Sequence, residues 1–421
     1  MIKYDSYKPS GIEWLSEIPS HWEMKRIKDI FSLERGKFSH RPRNDERMYV
    51  DGIFPFIQTG DVAKANKYIT KYKQVLNQNG IKVSKEFKKG TLLMTIAANI
   101  GDVSILGYDA YLPDSLVAFI TKYDIDYYYY LFSISKKELD FVKITNTQDN
   151  LNLEKLNSIF KCFPPLEEQT QIANYLDTKT QAIDKKINLL TQKANYYKEY
   201  RKSIINETVC KGLDKSVQLK DSGIDWIGQI PEHWEVKRFK AIAKTLKGKN
   251  LEFADNYFEN SLPNLSLDYL RNDTVTFNNF CYSTDKTLLA DEDDFVIIWD
   301  GAGVGEILRA KKGYISSTIA KLIFNKNFSS KYFFHLRDNL EYTLKQIPTG
   351  MGIPHLNPHI LNNYQCPFPP LKEQTEIAKY LDAKTQTIDK IISNINTQMA
   401  KLKELRKTLI NDAVTGKIKV S

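Results

Sequence analysis

Two blocks of sequence occur twice in this chain, and that duplication constrains its fold more than any bulk property. Residues 10–30, SGIEWLSEIPSHWEMKRIKDI, return at 222–242 as SGIDWIGQIPEHWEVKRFKAI, with 13 of 21 positions identical. Residues 164–185, PPLEEQTQIANYLDTKTQAIDK, return at 369–390 as PPLKEQTEIAKYLDAKTQTIDK, with 17 of 22 identical. The offsets are 212 and 205, so the stretch between the blocks is seven residues shorter in the second half. That stretch has diverged and keeps only weak echoes, such as KKGTLLMTIAANIGDV at 88–103 against DDFVIIWDGAGVGEIL at 293–308. Constant ends around variable middles, twice over, imply one shared task for the ends and two different tasks for the middles.

At 421 residues the chain is long enough for two or three domains with cores of their own. Lys and Arg outnumber Asp and Glu by 60 to 51, a net charge of +9, which makes a polyanionic partner plausible without proving one. The first twenty residues lack the apolar core of an export signal, and no apolar run is long enough to span a membrane. Cys162, Cys210, Cys281 and Cys366 lie far apart with no C-x-x-C pair, so reduced thiols and a cytoplasmic location are expected.

After each Pro-Pro pair, proline and glycine disappear from Leu166 to Lys211 and from Leu371 to Thr415, and Gly212 and Gly416 close the two stretches. Apolar residues recur every seven positions within them. The first series is Leu176, Ile183, Leu190, Tyr197, Ile204; the second is Leu381, Ile388, Ile395, Leu402, Leu409. Three residues earlier in each heptad lie Ala173, Thr180, Ile187, Ala194 and Ala378, Thr385, Ile392, Met399. This 3–4 alternation is a coiled-coil seam. Two such helices in one chain can pair antiparallel, giving a rod of roughly 65–70 Å at about 1.5 Å per residue, with the variable regions related by a pseudo-twofold axis. A coil serving only dimerisation would need no paired variable regions.

The variable regions read as mixed α/β. Strand-like runs occupy 91–97, 103–112, 295–299 and 317–324, and short helices are predicted to open at Tyr127–Leu131 and Lys331–Leu336. The predicted fold class is therefore α+β: two mixed α/β domains separated by two long helices in an antiparallel coiled coil, with a pseudo-twofold internal repeat. The expected boundaries are 1–165 for the first domain, 166–212 for the first helix, 213–370 for the second domain and 371–421 for the second helix. In the shared opening block, Trp22 and Trp234 are expected to be packing anchors. The basic pairs Lys25–Arg26 and Lys237–Arg238 occur in both halves, so they cannot discriminate two sequences.

Catalytic signatures are absent from the sequence. There is no N-P-P-Y-like loop to hold an adenine amine and no G-x-x-x-x-G-K-[ST] phosphate loop. Gly301-Ala-Gly303-Val-Gly305 is better read as a tight turn between strands. Pro231-Glu232 with Glu235-x-Lys237 is too short to cradle a metal. His355 and His359 stand at a ligand-like spacing, but Pro354 and Pro358 interrupt any helix there and no third ligand is evident.

The twin blocks SGIEW…IPSHWE / SGIDW…IPEHWE and PPLEEQTQIANYLD / PPLKEQTEIAKYLD closely resemble the specificity subunits of Type I restriction–modification systems, over the whole chain. The resemblance implies two target-recognition domains, each reading one half of a bipartite, asymmetric site on double-stranded DNA. It implies two modification (methyltransferase) subunits and restriction (motor-nuclease) subunits as partners. S-adenosylmethionine, ATP and Mg2+ would belong to those partners, with no cofactor and no active site on this chain.

Phosphate contacts call for Lys, Arg and backbone amides, and base contacts for Arg, Asn and similar side chains. The best candidates in the first head are Lys37, His40, Arg41, Arg43 and Arg47 in the loop RGKFSHRPRNDER. The same repeat position in the second head carries Lys247, Lys249 and Asn250. Asn99 and Gly303 in the small-residue turns, with Arg309 and Lys311, are secondary candidates.

Overall fold

The computed structural model describes residues 2–12, 15–97, 100–135, 153–272, 274, 279–350 and 352–420. It forms two compact units, Met1–Thr191 with Asn396–Ser421, and Gln192–Ile395. The units therefore divide each long helix, and each unit joins one head to the start of one helix and the end of the other.

In the first unit a five-stranded sheet runs in the order Ser32–Arg35, Leu116–Ile120, Leu92–Thr95, Val103–Leu106, Tyr68–Ile69. Its central strands are buried on both faces, and the alternation of side chains divides them between two cores. Leu92, Met94, Val117 and Phe119 enter one core together with Tyr127–Phe132, the buried body of helix α1 (Ile125–Ser133). Leu93, Leu116 and Ala118 enter the other, against Phe87, Ala110 and Leu112 of a four-stranded sheet. Asp124 caps α1 by accepting from the backbone of Asp126 and Tyr127. The run 103–112 divides into Val103–Leu106 and Ala110–Leu112. At Gly107 a Cβ would lie 2.4 Å from the Ile69 carbonyl oxygen, so the break is where a neighbouring strand passes too close for a side chain.

Helix α2 (Leu166–Lys211) comes after the first head. The second unit repeats the scheme. A four-stranded sheet runs Ala243–Lys247, Ile319–Phe324, Phe295–Ile298, Ile307–Arg309. Its layers are again split between two cores, Phe295 and Ile297 on one side, Val296 and Ile298 on the other. This sheet matches the first four strands of its counterpart and, among the described residues, lacks the fifth. Helix α3 (Ser330–Gln346) fills the place of α1 but is 17 residues long, where the sequence predicted a short helix. Its second half continues the apolar face with Leu340 and Leu344, both buried, which a window ending at Leu336 omits. Helix α4 (Leu371–Val414) closes the chain.

Within each unit the two long helices lie side by side and antiparallel. In the first, Asp184 pairs with Arg406 at 3.0 Å, and Thr191, one heptad on, meets Met399, one heptad back. In the second, Arg201 pairs with Asp389 at 3.1 Å while Ile205 and Val209 share a core with Ile377 and Leu381. The heptad residues face inward: Leu176, Ile204, Leu381, Ile388 and Ile395 are buried, and Ile183, Leu190, Tyr197, Leu402 and Leu409 half-buried. All four cysteines are buried and unbridged, and burial pushes the Cys210 and Cys281 thiols up to about 11.

Candidate nucleic-acid interface

Each head meets its helices through one joint, built twice. Trp22 is fully buried and donates its indole N–H to Glu168 on α2 at 2.9 Å; Trp234 donates to Glu373 on α4 at 3.0 Å. The neighbouring histidines reach the same carboxylates, His21 to Glu168 at 2.5 Å and His233 to Glu373 at 2.7 Å. A buried tyrosine then ties in the end of the other helix: Tyr127 donates to the Val414 carbonyl at 3.1 Å, and Tyr332 to the Val209 carbonyl at 2.8 Å. The glycines that stop the helices have left-handed φ of +73° at Gly212 and +74° at Gly416. They also face the tryptophans: a Cβ would come within 3.1 Å of the Trp234 ring at Gly212 and of the Trp22 ring at Gly416.

The lysines of the opening block's basic pairs belong to this joint. Lys25 sits 3.6 Å from the Phe163 ring centroid and Lys237 3.8 Å from that of Phe368, each also salt-bridged to a neighbouring glutamate. A cation held over a ring and beside a carboxylate is a packing element.

In the first head, a sharp turn at Gly36 launches the basic loop. A Cβ there would lie 2.2 Å from the Pro113 carbonyl oxygen, so the backbone must pass without a side chain. Two aspartates organise the basic side chains of this loop. Asp114 receives Arg43 at 2.6 and 2.7 Å and Arg41 at 3.5 Å, while Asp45 receives His40 at 2.7 Å and Arg47 at 2.6 Å. Arg47 and His40 hold the Asp45 carboxyl well below the usual carboxylate range. The guanidinium groups remain accessible, 55% for Arg41, 53% for Arg43 and 77% for Arg47, and Lys37 is exposed beside them. The loop thus presents oriented forks whose spare donors face solvent, the geometry that phosphate or guanine edges require.

The second head repeats the turn but not its chemistry. A Cβ at Gly248 would lie 2.2 Å from the Ser316 carbonyl oxygen, matching Gly36. Lys247 bonds Asp300 at 3.0 Å, Lys249 bonds Asp285 at 3.1 Å, and Asn250 accepts from the Ser317 hydroxyl. His355 completes the cluster by bonding Asp300 at 2.6 Å. Burial raises the Asp300 pKa, but His355 and Lys247 outweigh it and leave the carboxyl lowered. Asp300 opens the turn that carries Gly303, which lies between strands Phe295–Ile298 and Ile307–Arg309 as the sequence implied. Arg309 and Lys311 lie elsewhere. Arg309 stacks 4.6 Å from the Phe334 ring centroid, and Lys311 donates to the Tyr269 carbonyl at 2.6 Å. Asn99 lies outside the described residues.

Sequence reasoning did not single out Asp45, Asp114, Asp285 and Asp300, because acidic residues are poor phosphate ligands taken alone. It set His355 aside after testing it only as a metal ligand. The signal available was the pair of R/K-G-K turns, Arg35-Gly36-Lys37 and Lys247-Gly248-Lys249, at the offset of the opening block.

A duplicated head-and-helix protein, with one basic loop cluster per head and a common joint to paired helices, is the class these features define. The family model for the Type I restriction modification DNA specificity domain matches residues 19–192 and again 231–401, most of the chain, and the protein belongs to that family. Among related sequences, the Type I restriction enzyme MjaVIII specificity subunit of Methanocaldococcus jannaschii is 36% identical over 189 residues, spanning 44% of this chain and 43% of the relative. The putative type I restriction enzyme MjaX specificity subunit of the same organism is 26% identical over 99% of this chain and 98% of its own. A chain from a solved type I R-M system complex superposes with a TM-score of 0.75 at 16% identity, covering 95% of this chain and 99% of that one. The HsdS subunit of Thermoanaerobacter tengcongensis gives 0.56 at 17% identity, covering 95% and 98%. The chain is accordingly a Type I specificity protein with two DNA-recognition domains, and no helix among its described residues is long and apolar enough to cross a membrane.

Proposed function

We propose that this chain is the non-catalytic DNA-reading subunit of a Type I restriction–modification complex. Each head reads one half of a bipartite, asymmetric duplex site, and the helices recruit two modification subunits, to which restriction subunits join. S-adenosylmethionine, ATP and Mg2+ act on those partners. The observation that carries this reading is the contrast at the twin turns. The backbone is the same at Gly36 and Gly248, while the displayed side chains are arginines and a histidine in one head and lysines, Asn250, Ser317 and His355 in the other. Equal frames bearing unequal donors suit two unlike half-sites.

The test is to co-express the chain with its modification partner and map methylated adenines. The expected result is a split motif with two unlike halves and a constant unread gap. Replacing residues 31–160 with those of a relative is expected to change one half only. A change in both halves would refute the two-reader assignment.

A further inference from the structure

One lysine-rich segment of the first unit has no counterpart in the second. Lys64–Lys73, KANKYITKYK, carries four lysines and two tyrosines in ten residues. It leaves the short helix Thr59–Lys64 and adds the fifth strand, Tyr68–Ile69, to the sheet by parallel pairing with Val103–Leu106. The matching short helix of the second unit is Leu267–Arg271. Each helix follows a strand with a parallel neighbour, Phe54–Phe56 beside Ala110–Leu112 and Leu262–Leu265 beside Gly313–Ile315. After the second helix, residues 272–285 contain no lysine or arginine, and Arg271 itself is bound to Glu306 at 3.1 Å.

Only one of the four lysines is spent inside the fold. Lys67 bonds Asp177 at 2.5 Å and Asp126 at 2.8 Å, and beside it Tyr129 donates to the Asn66 carbonyl, so the segment is fixed onto the head. Lys64, Lys71 and Lys73 are exposed and make no salt bridge to any described residue. Lysines also blunt open strand edges, but these three lie outside the two-residue strand, where there is no ladder to block. They border a cleft of about 840 Å³ whose lining holds five cations and three carboxylates. Arg406 meets Asp184 at 3.0 Å, and the buried Asp61 accepts from the Gln58 amide at 2.9 Å. The surplus is therefore carried by the three outer lysines. Between two of them stands Tyr72, 42% exposed, its ring propped edge-on against Tyr108 at 5.3 Å.

Unpaired lysines beside a tyrosine hydroxyl are phosphate-contacting groups and carry no base information. A cluster of one sign without internal partners fits a polyanion, and this head's own DNA is one. The lysines cannot assist the base contacts of the loop after Gly36. That turn follows Ser32–Arg35, which is the opposite edge of the same five-stranded sheet from Tyr68–Ile69. Four strand spacings of about 4.8 Å separate the edges by roughly 19 Å, the length of about five to six base pairs.

We propose that Lys64, Lys71 and Lys73, with Tyr72, form a sequence-independent phosphate grip on the first unit, which holds duplex DNA beside the half-site that this head reads. The second unit reads its half-site without such a grip at the matching segment. This rests on the two-reader assignment above and adds to it an inequality: the first head is held on DNA by charge more strongly than the second.

The test uses the chain assembled with its modification partner and a duplex carrying the mapped motif, titrated over a range of salt. The triple variant Lys64→Ala/Lys71→Ala/Lys73→Ala removes no internal bond. It is expected to lower the slope of log affinity against log salt by about 2–3 and to weaken binding at about 0.1 M salt by at least about tenfold. The methylated motif is expected to stay the same, and the corresponding triple arginine variant to restore the slope. Ethylation interference is expected to lose phosphates about five or more base pairs from the first half-site's read bases, and none beside the second. The double variant Lys379→Ala/Lys390→Ala, at the second unit's cleft, is expected to leave the slope unchanged. An unchanged slope in the triple variant overturns the grip, whether or not that variant aggregates. Relaxed specificity in the first half overturns its sequence independence, and an equal loss from the double variant overturns the inequality. A wild-type complex that yields no split motif overturns the two-reader assignment itself.

Discussion

The joints and the loops of this molecule have aged differently. At the joints, Trp22 and Trp234 make the same hydrogen bond to corresponding glutamates within 0.1 Å, 2.9 against 3.0 Å, and Tyr127 and Tyr332 tie corresponding pairs of elements. At the loops, the basic-Gly-Lys turn is shared and the residues that follow it are not. Beyond Gly36 and Lys37 come three arginines and a histidine arranged on two aspartates; around Gly248 stand Lys247, Lys249 and Asn250, the lysines on Asp300 and Asp285. A joint that holds a head on a helix must satisfy packing, and packing tolerates few solutions. A loop that reads sequence satisfies its ligand, so unlike ligands drive unlike loops.

The largest expected effect tests whether the joints are equal. Trp22→Ala and Trp234→Ala each empty a fully buried indole site and take one donor from a glutamate. Each is expected to cost about 3–5 kcal/mol, measured by equilibrium denaturation of the single variants. Losses differing by more than about 1 kcal/mol would mean that the joints are alike in geometry alone. Next in size are the loops. Arg43→Ala and Asn250→Ala are each expected to weaken binding of the assembled complex to its duplex by about 1–3 kcal/mol, roughly 5- to 150-fold, and to relax specificity in one half-site each. Methylation mapping reads this directly, and relaxation of the same half by both variants would contradict it.

The helices and joints were readable in the sequence, and the loops only partly. Heptads need a single helix and its neighbour to be recognised, so the proline- and glycine-free stretches Leu166–Lys211 and Leu371–Thr415 coincide closely with the helices Leu166–Lys211 and Leu371–Val414, whereas the expected boundary at 421 runs past the end of the second helix. The duplication also exposed Trp22 and Trp234 as shared anchors. Their partners Glu168 and Glu373 lie more than a hundred residues away, and no local pattern links them. The basic loop at 37–47 was found by charge, but not the aspartates that orient it, because Asp114 comes from a turn 71 residues after Arg43. The fifth strand, Tyr68–Ile69, is two residues long and pairs parallel, which leaves no periodicity to detect.

A smaller effect separates the units by pH. His335 occupies the place of Tyr130, 205 residues earlier, and burial lowers its pKa; Asp382 opposes the shift, and Arg337 and Arg201 add to it. Above about pH 6.5 the imidazole is neutral whether folded or unfolded, and stability is independent of it. As pH falls below that value the unfolded chain takes the proton first, so the second unit loses stability where the first does not. His335→Tyr is expected to remove this slope from the denaturation midpoint between pH 7 and 5. A slope that persists would place the sensitive group elsewhere.

The smallest effect concerns another feature repeated in both units, the ion pair between the two long helices. Arg406–Asp184 and Arg201–Asp389 correspond by the repeat and are similarly open, with arginines 28% and 33% exposed and aspartates 41% and 55%. Solvent screening leaves such a pair about 0.2–1 kcal/mol. Arg406→Ala and Arg201→Ala are expected to lose that amount equally, and raising salt to about 1 M, where the Debye length is about 3 Å, is expected to erase both losses. A salt-resistant loss at Arg406 alone would show that Tyr129, buried beside it in place of Phe334, shields the first pair from water. The divergence of the heads would then extend into the helices that otherwise repeat.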